Sequence, residues 1–337
     1  MPAPPAHRQN AERDTPGALT SEAFAEAVIA LAGAEWSDAA RLAVAVSGGG
    51  DSLALMALAA EAFAGQVTVL SFDHRLRAEN AAECAMVARL AEGLGLPNAT
   101  LQPAIPIADS NVQAGARDAR YAALAEWCAP RTIAFLLTAH HADDQAETVL
   151  LRLARGSGVA GLGGIRPRRD LGNGVALLRP LLGWRRADLR GPVCARGWTP
   201  IIDPANSSAR FDRSRARSLL AASEWLSTER LAASAAHCAE AEAALLWAAE
   251  LAWASRATVA GAHLVLDPEA LPPELQRRML ARGLAHFGTV DPDGPALARL
   301  AERLRAGGGG TLGTVKVRAL ATGQWQLAVA APRSRRA

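Results

Sequence analysis

The sequence predicts an α/β protein: a doubly wound parallel sheet with helices on both faces, followed by a smaller C-terminal helical and α+β domain. Three observations predict it. Short valine- and leucine-rich runs alternate with segments of helical period from residue 42 to residue 178, the pattern of strand–helix–strand units whose sheet is buried on both sides. The first run ends in three glycines, Gly48, Gly49 and Gly50, with a helical pattern directly behind them, so strand, turn and helix start follow one another without a linker. Beyond residue 217 the pattern changes to an alanine-rich helical stretch and then short strand-like runs.

Residues 1–20 have three prolines in the first five positions and no apolar core; they are expected to be a disordered lead-in and not a signal peptide. Residues 42–46 form the first strand, and Leu53, Leu55, Met56 and Ala59 fall on helical spacing behind Asp51. Strands are expected at 66–72, 99–105 and 132–138, with helices at 80–94, 112–128 and 142–155, and a short strand at 175–178. Residues 227–254 and 273–287 read as helices, 261–266 as a strand, 307–310 as a glycine linker or turn, and 314–329 as a hairpin. The boundary is placed near residue 219, giving a catalytic domain over 21–218 and a C-terminal region over 219–337.

Composition narrows the function. The chain has 337 residues, 50% hydrophobic and 20% charged, which is enough to bury a sizeable core. Cys84, Cys128, Cys194 and Cys238 are scattered with no C-x-x-C pair, which excludes a zinc knuckle, an iron–sulfur site or a disulfide framework and fits a reducing cytoplasm. The longest candidate membrane run, 243–260, is broken by Glu250 and Arg256, so no spanning helix is expected. The net charge of +3 is uneven: between Leu151 and Arg217 fourteen arginines face four acids. Lys316 is the only lysine, and such a bias explains arginine over lysine but not arginine without matching acids. A basic segment of this kind implies a polyanionic partner, nucleic acid first.

The glycine turn reads Ser47-Gly48-Gly49-Gly50-Asp51-Ser52. Glycine allows positive φ and close backbone approach, and a strand–turn–helix start presents free N–H groups and a dipole to an anion. The usual nucleotide loop ends in Gly-Lys-Ser/Thr, but here Asp51 stands in place of the lysine. Nothing in the turn then grips a terminal γ-phosphate. An acid there makes sense with a divalent cation between it and the phosphates, which points to a loop that holds the pyrophosphate portion of ATP. Asp73 and His74 end the second strand, and His140 to Glu147 follow the fourth, where ligands bind in such sheets. Placed on a helix, His140, Asp144 and Glu147 share a face, and a histidine with two carboxylates there can hold Mg²⁺ or move a proton. The doublet His140-His141 is by itself weak evidence for a metal. Arg117 and Arg120 lie on the helix after the third strand, suited to phosphate or adenylate. Asp203-Pro204 and Asn206 carry turn chemistry, and Arg213, Arg215 and Arg217 alternate behind them, a spacing that grips phosphates from several directions.

These residues carry a resemblance. "SGGGDS" resembles the loop of the N-type ATP pyrophosphatases, Rossmann-like enzymes that split ATP to AMP and pyrophosphate. "HHADDQAETVLLRLARGSGVAGLGGI", with "ARDARY", "LLRPLLGWRRADL" and "DPANSSARFDRSRAR" in that order, is similar to the tRNA(Ile)-lysidine synthetases over roughly residues 40–220. The resemblance implies adenylation of C2 of the wobble cytidine in a CAU-anticodon tRNA(Ile), then displacement of AMP by L-lysine. It implies ATP at Ser47–Ser52, Asp73, His74, Arg117 and Arg120, Mg²⁺ at Asp51 and Asp144, catalysis by Asp51, His140, Asp144 and Glu147, and tRNA at Arg213, Arg215 and Arg217. The family's R-N-R-I-R motif departs here to Arg213-Ser214-Arg215-Ala216-Arg217, and the C-terminal region is expected to contact tRNA. A tRNA thiolase of the same fold is the alternative and would use cysteines, often paired. Oligomeric state is not legible; a homodimer stays open.

Overall fold

The computed structural model describes residues 18–75, 79–103, 112–201, 212–290 and 292–330, with backbone only for 112–119. The described residues divide into two compact units at Ala239/Glu240. The expected break near residue 219 falls inside a helix, Asp212–Ala222, that packs on the helix Ala142–Ala154 and so belongs with the first unit. Most of the 1–20 lead-in, along with Asp203, Pro204 and Asn206, lies outside the described residues.

The first unit is built on a six-stranded sheet in the order β3-β2-β1-β4-β6-β5, with β1 at Arg41–Ala45, β2 at Val67–Phe72, β3 at Asn98–Leu101, β4 at Ile133–Leu137, β5 at Arg168–Asp170 and β6 at Ala176–Leu178. All pairs are parallel except β5 with β6. The register sets Leu42 opposite Val67 on one side and Phe135 on the other. Helices α1 (Ser21–Ala32), α2 (Gly50–Ala62) and α3 (Glu79–Gly93) pack on one face, where Phe24, Leu53, Leu55 and Val87 meet Leu42, Val44, Val69 and Phe135. Helix α4 (Val112–Cys128) covers the other, with Tyr121, Leu124 and Cys128 against Ala43, Leu70 and Leu136. Both strand faces are buried, which is why the strands read as continuous apolar runs. Chain order reverses at β1, with β2 on one side and β4 on the other. The crevice beyond the carboxyl ends of β1 and β4 is therefore the switch point where such sheets bind ligands.

The expected strand at 99–105 is shorter, Asn98–Leu101, and residues 104–111 lie outside the described ones. The edge strand β5 was not anticipated. Its Arg-Arg-Asp sequence carries no apolar alternation, and charge on an edge strand is what blunts further pairing. Behind α5 (Ala142–Ala154) come α6 (Val159–Leu162), α7 (Arg190–Cys194), α8 (Asp212–Ala222) and the long α9 (Thr228–Arg256).

The second unit has its own core. Five antiparallel strands lie in the order β7-β8-β11-β10-β9, with β7 at Ala257–Ala260, β8 at His263–Leu266, β9 at Gly309–Leu312, β10 at Val315–Ala319 and β11 at Trp325–Val329. Helices α10 (Pro273–His286) and α11 (Gly294–Arg305) close one face over Leu264, Val317, Trp325 and Leu327. The expected hairpin is β10–β11, with Val315 opposite Val329. Of the four glycines expected as a linker or turn, Gly307 lies in a turn, while Gly309 and Gly310 belong to β9. A Cβ on Gly309 would stand 2.5 Å from the Val317 carbonyl oxygen, so only glycine allows this strand to approach β10. Among the described residues no helix is long and apolar enough to cross a membrane.

Candidate active site

The glycine turn leaves β1 and enters α2 through Gly48, whose φ of 86° is left-handed. Ser52 organises the turn from inside: its Oγ donates to the Gly49 carbonyl at 2.9 Å and accepts from the Ser47 N–H at 3.2 Å. Gly49 is the N-cap of α2, and among the described residues no side chain caps this helix. Its first N–H groups therefore stay open to an anion.

At the end of β4 the chain makes the second half of the site. His140 precedes the helix, with Nδ1 hydrogen-bonded to Thr138 Oγ1 at 3.0 Å. His141, in extended conformation, is the N-cap of α5. His140 is therefore not part of the helical face expected with Asp144 and Glu147, although it lines the same cavity as Asp144. The histidine that joins the two halves is His141, which is 4% exposed. Its Nε2 lies 3.5 Å from both Asp51 Oδ2 and Asp144 Oδ2, and its Nδ1 lies 3.5 Å from Asp143 Oδ2. Burial pushes the imidazole pKa down, but the Asp143 and Asp51 carboxylates beside it and the charge of Asp144 outweigh this and raise it to about 9. Burial likewise raises the Asp51 carboxyl, and His141 and Arg186 together hold it below its ordinary value.

Two arginines that the sequence reading left without a role complete this face. Arg185 grips Asp143 at 3.1 Å and pairs with Glu229, while the Arg186 N–H donates to Asp143 Oδ2 at 2.8 Å. Burial raises the Asp143 carboxyl, but His141 and these contacts outweigh it and hold it well below the usual carboxylate range. Arg186 Nε reaches Asp51 Oδ1 at 3.3 Å. The conspicuous "DDQAE…RGSG" stretch also holds itself together: Gln145 exchanges hydrogen bonds with the Ile165 backbone, and Arg152 donates to the Gly161 and Gly164 carbonyls.

Of these groups, Asp51, His140, Asp144 and Arg186 line one cavity of about 770 Å³, with His141 behind it. Of the expected residues, Ser47, Gly49, Gly50, Asp51 and Ser52 line it, and so do His74, Arg120 and Arg213. Arg120 stacks against Tyr121 at 5.1 Å, and burial and the Arg120 charge keep His74 below its ordinary pKa. Asp73 is used locally instead, accepting from the Arg75 N–H at 2.9 Å and from Gln102. Glu147 is 2% exposed and accepts from Arg217 Nε at 2.8 Å. A buried carboxylate needs such a partner, so the guanidinium of Arg217 is engaged by Glu147 although its side chain is 45% exposed, and Arg215 is exposed as well. The Arg117 side chain lies outside the described residues. Among the described residues no three His, Cys, Asp or Glu side chains form a metal-holding group. Asp51 and Asp144 do converge on one His141 nitrogen beside the open helix start, a donor set that fits Mg²⁺ shared with substrate phosphates.

A parallel sheet with a glycine turn and an uncapped helix start at its switch point defines the class, and the family model of the PP-loop domain matches residues 21–224. A tRNA(Ile)-lysidine synthase of Novosphingobium aromaticivorans is 48% identical over 82% of this chain and 85% of its own. One of Zymomonas mobilis is 41% identical over 79% and 82%. The chain belongs to the tRNA(Ile)-lysidine synthase family and is an ATP-using enzyme of the ligase type. Among solved structures it is similar in fold to the U34-tRNA thiolase NcsA from Methanococcus maripaludis, with a TM-score of 0.55 and 16% identity over 65% of this chain and 78% of that one.

Proposed function

We propose that this enzyme ligates L-lysine to C2 of the wobble cytidine in a CAU-anticodon tRNA(Ile), using ATP and releasing AMP and pyrophosphate. The observation that carries the reading is the meeting of the glycine turn's Asp51 with Asp144 at His141, on one cavity. The turn from Ser47 to Ser52 holds the pyrophosphate portion of ATP through backbone N–H groups. His74 and Arg120 face the rest of the nucleotide, with Arg117 on the same helix. Asp51 and Asp144 would hold Mg²⁺, and the ion would supply charge neutralisation at the phosphates. Open N–H groups at the start of α2 stabilise the charge that develops on the departing pyrophosphate as the oxygen on C2 of the cytidine takes the adenylyl group. Glu147 orients the amine of lysine, His140 lines its approach, and Arg213 and Arg215 meet the tRNA backbone. The product pairs with adenosine and decodes AUA, and the reading places the enzyme in the cytoplasm. For the thiolase alternative the sequence offers no C-x-x-C pair; Cys84 and Cys194 both line the cavity but are free thiols far apart in the chain.

The test is mass analysis of nucleosides from a CAU-anticodon tRNA(Ile) incubated with enzyme, ATP and lysine. A cytidine heavier by lysine less water is expected. A sulfur-bearing nucleoside, or AMP release that follows ammonia and ignores tRNA, would replace the reading with a thiolase or an amidating enzyme.

A further inference from the structure

The glycine turn has no cation of its own, because Asp51 occupies the place of a lysine. Arg186 enters the same cavity from a different segment. Its side chain is about half exposed, and its Nε lies 3.3 Å from Asp51 Oδ1. The backbone beneath it is fixed three ways: its own N–H donates to Asp143 at 2.8 Å, Arg185 is gripped by that same carboxylate, and the Ala142 N–H donates to the Trp184 carbonyl at 2.9 Å. The guanidinium is held more loosely. Among the described residues its hydrogen-bond partner is Asp51, through one of its five N–H donors.

We propose that Arg186 is the phosphate-binding cation that the turn itself lacks, resting on Asp51 until a nucleotide phosphate takes its place. The inference rests on the reading of the cavity as the ATP site. A guanidinium fork matches phosphate oxygens, and a charge-assisted pair of this kind is stronger than a neutral hydrogen bond. Arg186, at Oδ1, and a divalent cation on the Oδ2 side draw on the same Asp51 carboxylate, and two cations that close repel. The arm therefore exchanges Asp51 for phosphate, while its fixed backbone keeps it over the helix start.

The experiment is equilibrium binding of ATP and adenosine to the full chain without tRNA, for wild type, Arg186→Gln and Arg186→Lys, together with Mn²⁺ binding to each nucleotide-free protein. Arg186→Gln is expected to weaken ATP by about 10- to 100-fold with adenosine unchanged, Arg186→Lys to recover part of the loss, and Mn²⁺ to bind Arg186→Gln more tightly than wild type. Equal ATP affinity in wild type and Arg186→Gln, or an equal loss for ATP and adenosine, overturns the phosphate role. Mn²⁺ binding no tighter than wild type overturns the resting place on Asp51. A wild type that binds no ATP removes the reading of the cavity itself, and the inference with it.

Discussion

The pairing of Glu147 with Arg217 concerns the second half of the proposed reaction. Glu147 is 2% exposed, Arg217 donates to Oε1, and among the described residues Oε2 has no partner. A buried carboxylate oxygen without a partner, one helical turn beyond the cavity-lining Asp144, is suited to an ammonium or amine. Free lysine is almost wholly protonated at pH 7, with a reference amine pKa of about 10.4, so the acceptor site must take a proton or favour the neutral form. Glu147→Gln keeps the shape and removes the charge. It is expected to slow lysine transfer more than adenylation, so that adenylated tRNA accumulates and is seen with label from the α-phosphate of ATP. Equal loss in both half-reactions would assign Glu147 to the first. Arg217→Ala strands the same carboxylate and is expected to cost about 1–3 kcal/mol of stability, below the full cost of breaking a buried pair because the arginine is half exposed.

Elements show what the sequence could and could not reveal. Alternating buried strands and helices, the turn after β1 and the acid-rich start of α5 were all legible, because each rests on local period or turn chemistry. His141 was not, because a doublet carries no sign of which ring enters a helix cap. One of the three carboxylates that hold the His141 ring, Asp51, lies far earlier in the chain. Arg185 and Arg186 show no role in the sequence, since their partners Asp143 and Asp51 are also distant in sequence. The glycine run at 307–310 reads as a linker or turn because glycine marks turns and close approaches alike; Gly307 lies in a turn, and what puts Gly309 and Gly310 in a strand is the facing strand. Gly309→Ala tests that account. The added Cβ meets backbone atoms of Val317 and Arg318, which cannot swing aside as a side-chain end does. It is expected to destabilise the C-terminal unit by about 1–3 kcal/mol in denaturant titration. Gly48→Ala meets side-chain ends of Ile201 and Met86 instead, so its cost is set chiefly by the left-handed φ, about 1 kcal/mol. Wild-type stability for Gly309→Ala would remove the close approach as the reason for glycine in β9.

Across the whole molecule, the arginine surplus between residues 151 and 217 overstates the number of phosphate contacts, because the fold uses several of these side chains itself. Arg152 and Arg179 donate to backbone carbonyls, Arg168 binds Glu35 and the carbonyls that end α1, and Arg196 pairs with Glu61. Arg185 and Arg217 are held by Asp143 and Glu147. Arg213, facing the cavity, and Arg215, exposed on the same helix, have no acid partner among the described residues. The two groups should separate by salt. Each phosphate contact with tRNA releases counterions, so losing one reduces the slope of log affinity against log salt by roughly one. Arg213→Ala and Arg215→Ala are expected to weaken tRNA binding and flatten that slope, with ATP binding unchanged for Arg215→Ala. Arg168→Ala and Arg196→Ala are expected to leave the slope intact and to appear instead as lower thermal stability. Slopes measured by filter binding over a salt series decide the division. A slope flattened by Arg168→Ala, or untouched by both Arg213→Ala and Arg215→Ala, would mean that the tRNA backbone lies elsewhere on the protein.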